Sequence, residues 1–244
     1  MNNAIFKIAN NVQIAEKIFK ITLYGDTSAI VRSGQFVNIK INGFFLRRPI
    51  SICDYGDGKL VLIYKTVGKG TDALSLMKSG ESLDLLCGLG NGYNTETSGS
   101  APLLIGGGAG VPPLFNLCKK LILEKKSVSV ILGFNTKSEV YFEKEFEELT
   151  KNVFVTTVDG SYGTKGFVTD ILSKINKFSY IYTCGPEPML KAIYNNSETS
   201  GQYSFESRMG CGFGVCMGCS CKTKYGNKRI CKDGPVLEKE EIIW

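Results

Sequence analysis

Two rhythms of apolar and polar positions divide the chain. Residues 1–97 carry short apolar runs, Ile18–Leu23, Gln35–Ile41, Pro49–Cys53, Leu60–Tyr64 and Ser82–Leu86, punctuated by Gly34, Gly43, Asp57-Gly58 and Gly80. Short runs bounded by turn residues predict strands, and so many at close spacing predict a small antiparallel β-barrel. The stretch Asn94–Ser100 (NTETSGS) is small and polar and reads as a linker. In residues 101–205 the runs Leu103–Ile105, Val128–Leu132, Val153–Thr157 and Tyr180–Thr183 alternate with helical patterns over Pro113–Glu124, Glu143–Leu149, Val168–Ile175 and Pro188–Tyr194. Such alternation predicts a parallel sheet covered by helices, whose ligands sit beyond the carboxyl ends of the strands. Residues 206–244 show little periodicity, and a unit so small calls for a metal to hold it together. The expected organisation is a barrel over 1–98, an α/β domain over 99–203 and a small C-terminal unit over 204–244.

Composition narrows the function. With 244 residues the chain suits two modest domains and an appendage, and 43% apolar against 21% charged residues excludes a largely disordered chain. No apolar stretch approaches the ~18–20 residues of a membrane span. The opening MNNAIFKIAN lacks the basic-then-apolar pattern of a secretion signal, so a cytoplasmic location with no membrane partner is expected. Histidine is absent, which removes His-based acid–base catalysis, Ser-His and Cys-His nucleophiles and His-containing metal sites. The net charge of +6 is spread along the chain, so nucleic acid is not an expected partner.

Of nine cysteines, Cys53, Cys87, Cys118 and Cys184 stand alone in apolar surroundings and read as small buried hydrophobes. Cys211, Cys216, Cys219, Cys221 and Cys231 crowd the end of the chain. An odd total without a secretion signal argues against a disulfide framework. Cys211, Cys216 and Cys219 form C-x4-C-x2-C, closed by Cys231, the plant-type spacing for a 2Fe-2S cluster. Gly210, Gly212, Gly214 and Gly218 let the backbone wrap close to the sulfurs. Structural zinc on four thiolates is the alternative, although zinc sites favour C-x2–4-C pairs; Cys221 is a competing ligand that the regular spacing disfavours.

Two further motifs suggest nucleotides. Arg47-Arg48-Pro49-Ile50-Ser51 opens a barrel strand; a guanidinium there can take a flavin phosphate and a serine the redox edge of the ring, or the segment is an ordinary basic strand entry. Leu104-Ile-Gly106-Gly107-Gly108-Ala-Gly110-Val-Pro112-Pro113 runs from a strand through a glycine loop into a helix. That arrangement suits a pyrophosphate, though it also serves as a tight strand–helix turn. Thr183-Cys184-Gly185-Pro186 and the loop Asp159–Gly166 should open at the same sheet edge.

With LRRPISI (46–52), IGGGAGVPPL (105–114), DGSYGTKG (159–166), YTCGPEPML (182–190), ESRMGCGFGVCMGC (206–219) and CKDGPV (231–236), nearly the whole chain resembles the iron–sulfur, FAD-containing electron-transfer subunits of NAD-dependent dihydroorotate dehydrogenases, within the ferredoxin–NAD(P) reductase superfamily. The resemblance implies that Arg48, Pro49, Ile50 and Ser51 contact FAD, with Ser51 near the flavin N5. Ile63, Tyr64 and Lys65 line the ring and ribityl chain, and Gly70 and Thr71, opening the next helix, hold its phosphates. It makes Cys211, Cys216, Cys219 and Cys231 the cluster ligands, and Gly106, Gly107, Gly108, Gly110, Cys184, Gly185 and Pro186 the nicotinamide-nucleotide contacts. Lys65 stands where arginine is expected in many relatives, and the interval from Cys219 to Cys231 is short. The implied partner is an FMN-containing catalytic subunit, two of each chain forming a heterotetramer, with dihydroorotate oxidised on the partner in pyrimidine biosynthesis. A related reductase subunit serving a ferredoxin:NADP or hydrogenase-type partner is the rival reading, and a non-enzymatic zinc module the other. Asn135-Thr-Lys137-Ser-Glu139 lacks the arginines that a 2′-phosphate wants, which favours NAD over NADP.

Overall fold

The computed structural model describes residues 1–175 and 177–244. Six antiparallel strands close a barrel in the order β1-β2-β5-β4-β3-β6: β1 (Asn2–Ala15), β2 (Ile18–Tyr24), β3 (Phe36–Lys40), β4 (Arg48–Gly56), β5 (Lys59–Lys65) and β6 (Ser82–Leu89). Alternation decides what each strand buries. On β5, Leu60, Leu62 and Tyr64 point into the barrel core, whereas Val61 and Ile63 turn outward into the core shared with the second domain. The first strand is absent from the hydrophobic pattern. It is 14 residues long and broken by irregularities between Ile8 and Asn10 and between Gln13 and Ala15, so it bends from β6 onto β2.

A short helix, α1 (Lys69–Leu76), crosses between β5 and β6. Thr71 fixes its start: the Thr71 hydroxyl accepts from the backbone N–H of Val67 and Gly68.

The second unit is a seven-stranded sheet in the order β10-β9-β8-β7-β11-β12-β15. Its members are β7 (Pro102–Gly107), β8 (Ser129–Phe134), β9 (Val153–Thr157), β10 (Thr164–Lys165), β11 (Tyr180–Cys184), β12 (Gly201–Ser204) and β15 (Val236–Glu238). All pairs are parallel except β12 with β15. The covering helices are α2 (Pro112–Leu123), α3 (Glu143–Glu147), α4 (Val168–Leu172) and α5 (Glu187–Asn195). Pro112 and Pro113 suit the first turn of α2, where backbone N–H groups lack intrahelical partners, and Leu114, Leu117, Cys118 and Leu121 form its buried stripe. Between β12 and β15 the chain forms the cysteine loop and a hairpin of β13 (Ser220–Thr223) and β14 (Gly226–Arg229). The C-terminal segment is thus woven back into the nucleotide-type sheet at its antiparallel edge, through the pairings Gln202–Glu238 and Ser204–Val236.

The stretch expected to be a linker is pinned instead. The Thr95 hydroxyl donates to Glu124 at 2.7 Å, the Asn94 N–H donates to Gln202 at 2.9 Å, and Tyr182 donates its hydroxyl to the Asn94 carbonyl at 2.7 Å. Small polar side chains serve buried hydrogen bonding here as readily as solvation. Cys53, Cys87, Cys118 and Cys184 are buried, as their apolar settings imply. Among the described residues no helix is long and apolar enough to cross a membrane.

Candidate functional site

Three neighbouring features make up the site. The first lies on β4. The two arginines at its start, Arg47 just before the strand and Arg48 on it, have separate tasks. Arg47 is a buttress, ion-paired with Asp84 at 2.9 Å and donating to the carbonyls of Asn38 and Asp84. Arg48 lies over the Phe44 ring, 5.0 Å from its centroid, and its guanidinium rests against Gly70 in the first turn of α1. A fixed positive charge thereby meets a helix start whose backbone N–H groups have no intrahelical acceptors, which suits a phosphate. Pro49 and Ser51 stand opposite Asn38 and Phe36 in the β3–β4 register, on the outer face of the barrel.

The strand that follows divides its residues. Ile63 faces the second domain. Tyr64 turns into the barrel, where its hydroxyl donates to Asn11 at 2.9 Å and burial pushes its pKa up to about 12. Only the backbone of Tyr64 is left for a ligand on the outer face. Lys65 ion-pairs with Glu139 at 2.9 Å, joining the barrel to the segment after β8.

The second feature is a cavity of about 690 Å³ at the carboxyl ends of the parallel strands. Gly107, Gly108 and Pro186 line it, with Lys65, Glu139, Thr156 and Gly166. Gly106, Gly110, Cys184 and Gly185 shape it from behind. A Cβ on Gly110 would lie 2.2 Å from the Cys184 carbonyl oxygen, and one on Gly185 would lie 2.4 Å from the Met189 methyl carbon. The Cys184 thiol is buried, which pushes its pKa up to about 12. Tyr141 donates its hydroxyl to the Gly108 carbonyl at 2.7 Å and holds the glycine loop. The buried hydroxyl of Thr156, at the cavity wall, has no hydrogen-bond partner among the described residues. A volume of this size, a glycine-backed wall and an unsatisfied buried hydroxyl fit a dinucleotide. Thr156 and Tyr141 escape the motif reading: Thr156 lies within the apolar run Val153–Thr157, and Tyr141 lies in a loop stretch without a nucleotide signature; Met189 falls inside YTCGPEPML (182–190), where the sequence assigns it no role.

The third feature is the cysteine loop. Gly212 has φ of +79°, and a Cβ there would lie 2.3 Å from Nδ2 of Asn38, so only glycine fits. The four thiols fall into two pairs. Cys211 Sγ accepts from the N–H groups of Val215 and Cys216 at 3.3 and 3.4 Å, and Cys216 Sγ accepts from the Cys211 N–H at 3.4 Å. Cys219 Sγ accepts from the Cys231 N–H at 3.4 Å. Cys219 and Cys231 are buried in an apolar cluster with Phe36 and Ile230, whereas Cys216 is exposed and Cys211 partly so. Burial opposes ionisation of Cys211, but N–H groups of Cys216, Phe213 and Val215 outweigh it and bring the thiol down to about 6. Burial, reinforced by Cys219, pushes Cys231 up to about 12. No three cysteine or carboxylate side chains among the described residues converge as a single ion needs. Two pairs of thiols with backbone N–H groups aimed at sulfur suit two irons better than one zinc. Cys221 lies on β13, half-buried, its thiol raised by burial. Arg229 clamps the loop, donating to the Gly214 carbonyl at 2.8 Å while paired with Asp233.

Comparison with known proteins agrees with this geometry. Residues 206–243 match the family model for the iron–sulfur cluster binding domain of dihydroorotate dehydrogenase B, and residues 104–195 match the oxidoreductase NAD-binding domain. The chain is 42% identical to the dihydroorotate dehydrogenase B (NAD(+)) electron transfer subunit of Bacillus pumilus, over 99% of this chain and 98% of that protein. It is 43% identical to the protein of the same name from Fusobacterium nucleatum, over 96% of each. Among solved structures, a chain of the NADH-dependent reduced ferredoxin-NADP oxidoreductase superposes with a TM-score of 0.89 at 32% identity, covering 98% of this chain and 90% of that one. A ferredoxin NADP+ reductase from Neisseria gonorrhoeae shares the fold, with a TM-score of 0.69 at 15% identity over 80% of this chain and 89% of that one.

Proposed function

Because the chain belongs to the family of dihydroorotate dehydrogenase B (NAD(+)) electron transfer subunits, we propose the following division of roles among its residues and partners. The chain is an oxidoreductase subunit using FAD, a 2Fe-2S cluster and NAD, and it carries electrons from dihydroorotate oxidation, on a separate catalytic subunit, to NAD+ in pyrimidine biosynthesis. Bound FAD exchanges two electrons as hydride with the nicotinamide and single electrons with an iron–sulfur centre. Arg48, Gly70 and Thr71 hold the FAD phosphates; Pro49, Ile50 and Ser51 support the ring, with Ser51 at its redox edge; Ile63, Lys65 and the backbone of Tyr64 complete the seat. Gly106, Gly107, Gly108, Gly110, Cys184, Gly185 and Pro186 form the nicotinamide-nucleotide site. Cys211, Cys216, Cys219 and Cys231 would hold the 2Fe-2S cluster.

The observation that carries this reading is the adjacency of the thiol loop and β4: Asn38, opposite Pro49 in register, donates from Nδ2 to the Cys211 carbonyl at 3.2 Å. Three seats for redox groups share one molecule, and none of the residues assigned here is left to oxidise dihydroorotate. The partner is an FMN-containing catalytic subunit, two of each chain assemble, and the complex works in the cytoplasm without membrane or nucleic acid.

The test is anaerobic purification with and without the catalytic subunit. The chain alone should absorb near 450 nm, show a rhombic signal after dithionite, and oxidise NADH with artificial acceptors. It should form no orotate until the partner is added. Orotate from the purified chain alone would overturn the division of labour. The likeness to the reduced ferredoxin-NADP oxidoreductase supports one rival, a reductase for a ferredoxin-type partner. Electron exchange with reduced ferredoxin faster than with the dihydroorotate-oxidising subunit would favour it.

A further inference from the structure

Asn38 lies on the outer face of β3, between the two cofactor seats, and the functional reading assigns it nothing. Its neighbours Val37 and Ile39 point into the barrel core. Strand alternation therefore turns Phe36 and Asn38 the other way, onto the face they share with Ser51 and Pro49, their partners across the ladder. Phe36 packs in the apolar cluster that holds Cys219 and Cys231. Asn38 is 1% exposed and reaches the other thiol pair through its bond to the Cys211 carbonyl. The amide orientation is set by that carbonyl, which can only accept. The backbone at Gly212 presses on the same amide, so closely that a Cβ is excluded. At its other end, Oδ1 is buried with no donor among the described residues. Buried amides rarely leave an acceptor unused.

We propose that Asn38 is a positioning residue that ties the loop bearing Cys211 to the barrel strands bearing Ser51, fixing the separation and orientation across which single electrons pass between cluster and flavin. The proposal rests on the assignment of those two cofactors to these seats. Tunnelling rates fall exponentially with distance, so a loop free to shift by a fraction of an ångström slows transfer while leaving each centre chemically intact. No bond is made or broken at Asn38. Its Nδ2 holds the carbonyl of a ligand residue.

The experiment uses the holo-complex carrying Asn38→Ala or the isosteric Asn38→Asp. Stopped-flow absorbance follows flavin reduction by NADH, and freeze-quench spin resonance follows the cluster. Both variants should keep FAD and reduce it at the wild-type rate, while electron arrival at the cluster slows at least tenfold and the cluster signal shifts or broadens. Loss of iron from both variants, with FAD retained, would overturn the proposal, because Asn38 would then be needed to hold the cluster itself rather than its distance from the flavin. Unchanged cluster signals and unchanged transfer rates in loaded variants overturn it. If neither variant folds, amide exchange in the wild-type chain decides. Loading FAD into flavin-free, cluster-containing protein should slow exchange across residues 209–215, and no change there refutes the tie. A wild-type chain that holds no cluster would refute the cofactor assignment instead, before Asn38 is tested.

Discussion

The guanidinium of Arg48 and the α-carbon of Gly70 are in contact, so that a methyl group on residue 70 would lie 2.3 Å from Nε of the arginine. Strand β4 and helix α1 are therefore fitted to one another around a positive charge. With Arg48 on an FAD phosphate, as proposed, Arg48→Ala removes charge-assisted hydrogen bonds worth about 1.5–3 kcal/mol. FAD affinity is expected to fall about ten- to a hundredfold, with iron content unchanged. Gly70→Ala should also weaken FAD, by displacing the same guanidinium while keeping its charge. Fluorescence titration of flavin-free protein measures both; wild-type affinity in Arg48→Ala would remove the residue from the phosphate site.

The two thiol pairs differ in depth, which separates two substitutions that look alike in sequence. Cys216 is exposed, so Cys216→Ala should abolish the cluster signal and electron exchange with the partner while FAD content and thermal midpoint stay near wild type. Cys219 is 3% exposed, among apolar neighbours. Cys219→Ala should lose the cluster and also stability, by about 1 kcal/mol for the vacated volume. Iron analysis with differential scanning calorimetry on cluster-free samples tells the two effects apart. Equal midpoints for the two variants would mean that depth does not distinguish the pairs.

Glu139 carries a negative charge into the nucleotide cavity. Burial opposes its ionisation, yet Lys65, the Asn135 N–H and the Asn135 side chain hold its carboxyl below the ordinary 4.5. Glu139→Gln frees the Lys65 ammonium and removes a repulsion against any added phosphate, so the ratio of kcat/KM for NADH over NADPH should fall about two- to fivefold, the scale of one screened charge contact. The sign of the pH effect follows from the direction of the shift. A depressed carboxyl contributes stability that is in full force above its unfolded value and disappears as pH falls through the folded one. Acid unfolding should therefore be shallower below pH 4.5 in Glu139→Gln than in wild type. Parallel acid limbs would show that the Lys65 bridge does not bear on folding.

What could be read from the sequence was whatever local periodicity or fixed spacing encodes. The runs Leu60–Tyr64 and Tyr180–Thr183 are buried on both faces, and their unbroken apolar character announces it. The cysteine spacing specifies a ligand set because the ligands come from one tight loop and its return. Strand β1 was hidden because its irregularities break the period that a pattern search needs. Strands β12 and β15 are four and three residues long, and they are strands only because β12 pairs with β11 and β15 pairs with β12. The stretch Asn94–Ser100 misled because polar side chains look alike whether they face water or, like Thr95 and Ser98, buried partners. Asn38 gave no signal: its importance lies in a contact with a residue 173 positions away.

Asp54 joins the barrel to the nucleotide-type domain, and its loss should loosen how the two are held together. It accepts from Asn116 at 2.7 Å and from Lys119 at 2.8 Å, while Asn116 accepts from the Ser33 hydroxyl at 2.6 Å, so β4, α2 and the turn before β3 meet in one polar latch. The Lys119 and Asp54 side chains are 39% and 25% exposed, so water replaces part of what is lost. Asp54→Ala is expected to cost about 1–2 kcal/mol, hence a midpoint lower by roughly 2–8 °C for a chain of this size. The functional consequence is larger than the energetic one. Hydride transfer needs the nicotinamide held against the flavin, and on the proposed assignment the two sit on different domains, so kcat with NADH should drop several-fold although FAD content stays full. A double-mutant cycle with Lys119→Ala should return a coupling of about 0.5–1 kcal/mol. Strict additivity, or an unaltered kcat in Asp54→Ala, would show that the apolar seam formed by Val61, Ile63, Leu114 and Leu117 holds the domains in register without the latch.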